Sequence, residues 1–311
     1  MAPTGSLPAN TLNLDLESGP HAASGLEEKL LSVFVSYVPS ESQVTATSAA
    51  AQIDSLLVGV EGEASPNNQP RPDPWGFLHT FWDVYFRLGV QIDASEPMDR
   101  LVALMCALKE LPTKVTSSDG QGLVFAWQNL PIMGMELSER YHPNKSRLEF
   151  DPRKMTRGSE HARRWYNMNS LLAKLDATGV RDSQKQALTA IVLALEDNVN
   201  KQKKKHEVPA ENVLAGLLPA ASLWLEDRGT AAKMHRACRE GHCRSSGAHG
   251  LLWKLGEEDE DGEWSGGGFS VERWKFWQQR LEELPKHRCA DERTGEICRK
   301  TLETMAEVEG N

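Results

Sequence analysis

The chain has 311 residues, 40% hydrophobic and 25% charged, enough to build a sizeable core without disulfide or metal staples. A net charge of −9 and a pI near 5.6 set it against duplex phosphates, so nucleic acid is not an expected partner. The opening MAPTGSLPANTLNLDLESGP has neither the basic start nor the apolar run of a secretory signal, and no stretch approaches the ~18–20 apolar residues of a membrane span. The five cysteines, Cys106, Cys238, Cys243, Cys289 and Cys298, then read as reduced thiols in a cytoplasmic protein.

Residues 1–25 are rich in Pro, Gly, Ser and Ala and are expected to form a disordered tail. Residues 26–311 read as a single all-α domain, an irregular bundle or array of roughly ten helices. EEKLLSVFVSYV (27–38) is the first helix. Ser40 and Gln43 fit a capping box ahead of the second. A loop is expected near 62–73, after which Asp73 caps and Pro74 opens a helix reading WGFLHTFWDVYFRLG. Apolar residues then step by three and four through Met98, Leu101, Val102, Met105 and Leu108. The same spacing runs through Trp165, Met168, Leu171, Leu172 and Leu175, and through Leu188, Ile191, Val192, Leu195 and Val199. Trp274, Trp277, Leu281 and Leu284 form a further stripe, and Ile297, Leu302, Met305 and Val308 a last one. Breaks are expected at Leu111-Pro112, His142-Pro143, Thr178-Gly179 and Arg228-Gly229. No alternating strand pattern stands out. Mobile loops are expected near 200–207, which is lysine-rich, and near 254–269, which is acidic and then glycine-rich.

Chemistry-bearing motifs are weak. His235, Cys238, His242, Cys243 and His249 are zinc-ligand types, but they lack a second ligand pair at distance, so no metal is expected. Glu257, Asp259 and Asp261 resemble the start of a calcium loop, yet Gly268 stands where the bidentate glutamate belongs. The P-loop, dinucleotide, H-E-x-x-H and G-x-S-x-G patterns are not found, and Cys106 sits inside an apolar stripe. No catalytic residue and no cofactor is assigned.

The segments that stand out are mostly centred on tryptophan. They are Trp82-Asp83, RLVALMCALKELP at 100–112, AWQNLP at 126–131, RRWYNMNSLLAKL at 163–175, ALE at 194–196, AASLWLEDRG at 220–229, GLLW at 250–253, and the R-W-x-x-W run at 273–277. In this order they resemble a fungal domain-of-unknown-function family, the one catalogued as thirty-six thirty-two. The resemblance spans roughly 26–309. It implies a mostly helical intracellular protein and supplies no mechanism.

Two functions fit. The first is a non-enzymatic helical scaffold that binds another protein. The alternative is a small-molecule binder or enzyme of accessory metabolism with an apolar pocket between helices. The balance leans away from an enzyme. Candidate pocket or interface residues are Trp82, Asp83, Trp127, Asn129, Trp165, Asn167, Trp274 and Trp277, with His79 and Glu272 beside them. Core packing is the plain expectation for the tryptophans. Localisation is expected to be cytoplasmic, with nuclear import through Lys201, Lys203, Lys204 and Lys205 as the variant.

Overall fold

The computed structural model describes residues 25–62, 74–93, 95–116, 122–141, 152–196, 210–241, 253 and 268–310. The expected tail apart from Gly25, which opens the first helix, most of the three expected loops, the Lys201–Lys205 run, and His242, Cys243 and His249 lie outside them. The described residues are all-α apart from one small antiparallel strand pair. The chain divides after Glu139 into two compact units.

The first unit holds α1 (Gly25–Tyr37), α2 (Ala46–Gly62), α3 (Pro74–Gly89) and α4 (Ser95–Lys109). They are followed by β1 (Lys114–Thr116), β2 (Leu123–Phe125) and the start of α5 (Met133–Tyr141). Helix α2 is capped by Thr45, whose Oγ1 accepts from the Ser48 amide at 3.1 Å, and not by the expected box at Ser40. The stretch before it has no regular structure, and Arg100 donates to the Val44 carbonyl at 2.8 Å. The β pair aligns Val115 with Val124. Three residues per strand are too few for an alternating pattern to show. The core of this unit is the α3 aromatic face. Phe81 lies between Trp82 and Trp127, with centroids 4.9 and 5.1 Å away in edge-on geometry.

The second unit holds α6 (Glu160–Ala177), α7 (Gln184–Ile191), α8 (Ala210–Asn212), α9 (Leu218–Glu226), α10 (Arg228–Glu240), α11 (Val271–Glu283) and α12 (Glu292–Glu309). Side-chain caps at Ser159, Asp227, Ser270 and Asp291 start α6, α10, α11 and α12. Gly241, at φ 67°, closes α10 in the left-handed conformation that glycine adopts without strain. The stripes at 165–175 and 274–284 are buried as spaced. In α12 the buried line runs through Thr294, Cys298, Thr301, Met305 and Val308, while Ile297 and Leu302 stand at its margins. Steps of three and four from Cys298 set that face, and two threonines on it hid it from an apolar scan.

The 188–195 stripe is not one regular helix. Beyond Ile191 it widens into a π-helical turn, Val192–Glu196, and a second π turn, Val213–Leu217, links α8 to α9. Inserted π turns recur where a helix must re-aim a side chain. Here the turn buries Val192, Ala194, Leu195 and Glu196 together.

Candidate functional site

All of the tryptophans proposed as site residues are buried: Trp82, Trp127, Trp165 and Trp277 at 0% exposure and Trp274 at 1%. Most of their polar atoms are also held within the chain. Trp82 Nε1 donates to the Pro131 carbonyl at 3.0 Å, and Trp127 Nε1 to Asp54 at 2.7 Å. Trp274 Nε1 donates to Glu309 at 2.8 Å, and Trp277 Nε1 to Glu196 at 2.7 Å. Among the polar candidates, Asp83 pairs with Arg87 one turn on at 3.2 Å, and Arg87 also holds Glu27 at 2.8 Å. Asn129 and Glu272 are exposed, and Asn167 is buried. Within the first unit Trp82 and Trp127 share the aromatic cluster, and within the second Trp274 and Trp277 lie 6.3 Å apart.

The R-W-x-x-W run builds a buried charged clasp. Arg273 and Glu196 are both fully buried. Arg273 Nε reaches Glu196 Oε1 at 2.5 Å and Nη2 reaches Oε2 at 2.7 Å, a bidentate fork on one carboxylate. Nη1 donates to the Gly268 carbonyl, and the guanidinium lies 5.8 Å from the Trp253 ring centroid and 5.9 Å from that of Trp277. A lone buried carboxylate would cost several kcal/mol, roughly, so these donors are what allow Glu196 to be there. The residues that matter most here, Glu196 and Arg273, were not among the expected site residues. The signal was available: Glu196 follows Val192 by four on the apolar face, and an acid there requires a cation.

A second polar centre lies in the same unit. Asn169, fully buried, accepts from Trp224 Nε1 at 2.9 Å, lies 2.7 Å from the Tyr141 hydroxyl and donates to the Trp165 carbonyl at 2.9 Å. Burial raises the Tyr141 hydroxyl well above its ordinary range, so it stays a neutral donor.

Two buried cysteines are chemically quiet. Burial pushes Cys238 up to about 12 and Cys298 up to about 11, so neither is a thiolate near neutral pH. His235 lies against the Trp274 ring at 5.0 Å. Among the described residues no three His, Cys, Asp or Glu side chains gather as metal ligands do.

The first unit carries one differently built group. His79, on α3, places Nδ1 2.6 Å from Glu136 Oε1 in the first turn of α5. The His79 side chain is 43% exposed and that of Glu136 10%. The turn before α5 is strained: Leu130 has φ 46° and Ile132 φ 66°, left-handed values that a β-branched residue avoids. Trp82 clamps this turn through Pro131.

A family model described as "Protein of unknown function (DUF3632)" matches residues 82–281. The chain belongs to this family. The match opens at Trp82 and takes in Glu196, Arg273 and Trp277, so DUF3632 includes both partners of the clasp. No curated protein and no solved structure matches the chain.

Proposed function

We propose that this DUF3632 protein is a non-enzymatic helical scaffold that binds another protein. What supports this most is how its buried polar groups are used. Glu196, Arg273, Asn169 and five indole N–H groups bond to one another, to the Asp54 and Glu309 carboxylates or to the backbone, which fixes helices in place. Contact with a partner then falls to the surface. Val35 and Val58, on α1 and α2, are 50% and 51% exposed, and Met135 is 52% exposed. The fungal origin and cytoplasmic setting implied by the family resemblance fit this role. The net charge of −9 favours a protein over a nucleic acid as partner. None of the described helices is long and apolar enough to cross a membrane.

The test is to purify the tagged full chain and cross-link it. A stoichiometric partner should cross-link near Val35 and Val58 and be lost in a Val35→Asp, Val58→Asp variant of unchanged melting temperature. A partner-free chain, or binding indifferent to those changes, would count against the scaffold.

The second function, a small-molecule binder or enzyme, has one observation in its favour: a half-exposed histidine backed by a carboxylate beside a strained turn. A turnover or saturable ligand binding lost in His79→Gln would select it.

A further inference from the structure

We propose that His79 is a phosphoryl-accepting histidine, modified at Nε2 by small phosphoryl donors such as acyl phosphates or phosphoramidate. A carboxylate can only accept a hydrogen bond, so the 2.6 Å contact with Glu136 places the imidazole proton on Nδ1. In the neutral ring the lone pair then sits on Nε2, on a side chain that is 43% exposed. An imidazole held this way can act as a metal ligand, a general base or a nucleophile. A metal ligand needs companions, and no metal-binding group of three includes it among the described residues. A general base needs a second reacting group held within reach. A nucleophile needs only an incoming electrophile, and the geometry supplies what remains.

In the reaction, the Nε2 lone pair attacks phosphorus and a new N–P bond forms. The bond from phosphorus to the leaving group breaks, and a carboxylate (from an acyl phosphate) or ammonia (from phosphoramidate) departs with the electron pair. The ring keeps its Nδ1 proton and becomes a phosphoimidazolium. Its positive charge develops against the Glu136 carboxylate, which is 10% exposed and weakly screened by water. Glu136 is therefore a positioning and charge-stabilising residue that does not touch the phosphoryl group. The other charged group a turn away on α3, Asp83, is neutralised by Arg87.

The remaining described histidines differ. His287 Nδ1 accepts from the Cys289 amide at 3.2 Å, which puts its proton on Nε2. His235 is packed against the Trp274 ring. His161 is half-buried in the first turn of α6.

The experiment treats the folded full chain with phosphoramidate and, separately, acetyl phosphate. Site-resolved phosphorylation rates are then read by mass spectrometry under alkaline handling. His79 should label about tenfold faster than His161, His235 and His287, the kind of gain an oriented nucleophile shows. The product should be acid-labile, and the preference should vanish in urea. Glu136→Gln, checked for retained helix by circular dichroism, should remove the preference, and His79→Gln the modification. Equal rates at all four histidines in the folded wild-type chain would overturn the proposal whatever the variants do. An undiminished His79 rate in folded Glu136→Gln would overturn the role of the carboxylate.

Discussion

Glu196→Ala should be among the most damaging single substitutions in the second unit. It removes the bidentate partner of Arg273, a guanidinium with 0% exposure, and the acceptor of Trp277 Nε1. Leaving one member of a buried ion pair unpaired costs about 3–5 kcal/mol. Orphaning an indole N–H adds about 1–3 kcal/mol, although the two overlap because Arg273 keeps its bond to the Gly268 carbonyl. A total near 5 kcal/mol is a large share of a typical stability of about 5–15 kcal/mol. At about 2–4 °C per kcal/mol for a unit of this size, the melting temperature should fall by roughly 10–20 °C. The assay is thermal unfolding of Glu196→Ala, Arg273→Met and the double variant. Each single change should be severe. The double change should be milder than the sum, because no buried charge is left alone. Additive losses, or a single variant that melts within about 2 °C of wild type, would refute the clasp.

Gly216→Ala should destabilise by about 1–3 kcal/mol, since its Cβ would stand 2.6 Å from Met155 Cβ and 2.7 Å from the Met155 carbonyl oxygen; chemical denaturation would show it. Native Cys238 should resist iodoacetamide at pH 8 and react on unfolding, because burial holds its pKa near 12; stoichiometric native labelling would contradict this. Asp291 is held well below the usual carboxylate range by the Thr294 hydroxyl and amide and by Arg157, so its support of α12 is present above about pH 4 and lost as pH falls. Asp291→Asn should then flatten the acid limb of the stability profile. Residues 26–311 are proposed to unfold as one domain, and two well-separated calorimetric transitions would argue otherwise. Purified protein is expected to hold no stoichiometric zinc; one zinc per chain, lost in Cys238→Ser with Cys243→Ser, would reverse that expectation.

Much of the fold was legible because helical spacing is a strong signal in long segments. The stripes at Met98–Leu108 and Trp165–Leu175 are buried as the spacing implies. What was not legible has physical causes. The β pair is three residues deep, and its partners are joined by hydrogen bonds, which leave no periodic trace. The α2 cap sits at Thr45, beside a carbonyl held by Arg100, a residue distant in sequence. The π turn at Val192–Glu196 ends on Glu196, the carboxylate that Arg273 holds, and apolar spacing does not mark such a turn. The tryptophans were rightly conspicuous, but a scan for aromatic residues could not see that their polar partners, Glu196, Asp54, Asn169 and Glu309, carry the design. In the sequence His79 stands out only as a neighbour of Trp82. Glu136 lies 57 positions away, and only folding brings the two together.

The central claim is that the R-W-x-x-W residues are spent inside the fold, leaving any partner to meet the surface. Trp277→Ala tests it most directly, read by calorimetric melting of the full chain. Trp277 is fully buried and donates to Glu196, so the account predicts a loss of about 3–5 kcal/mol and a clearly lowered melting temperature. An unchanged melting temperature, with loss of a bound partner, would contradict it.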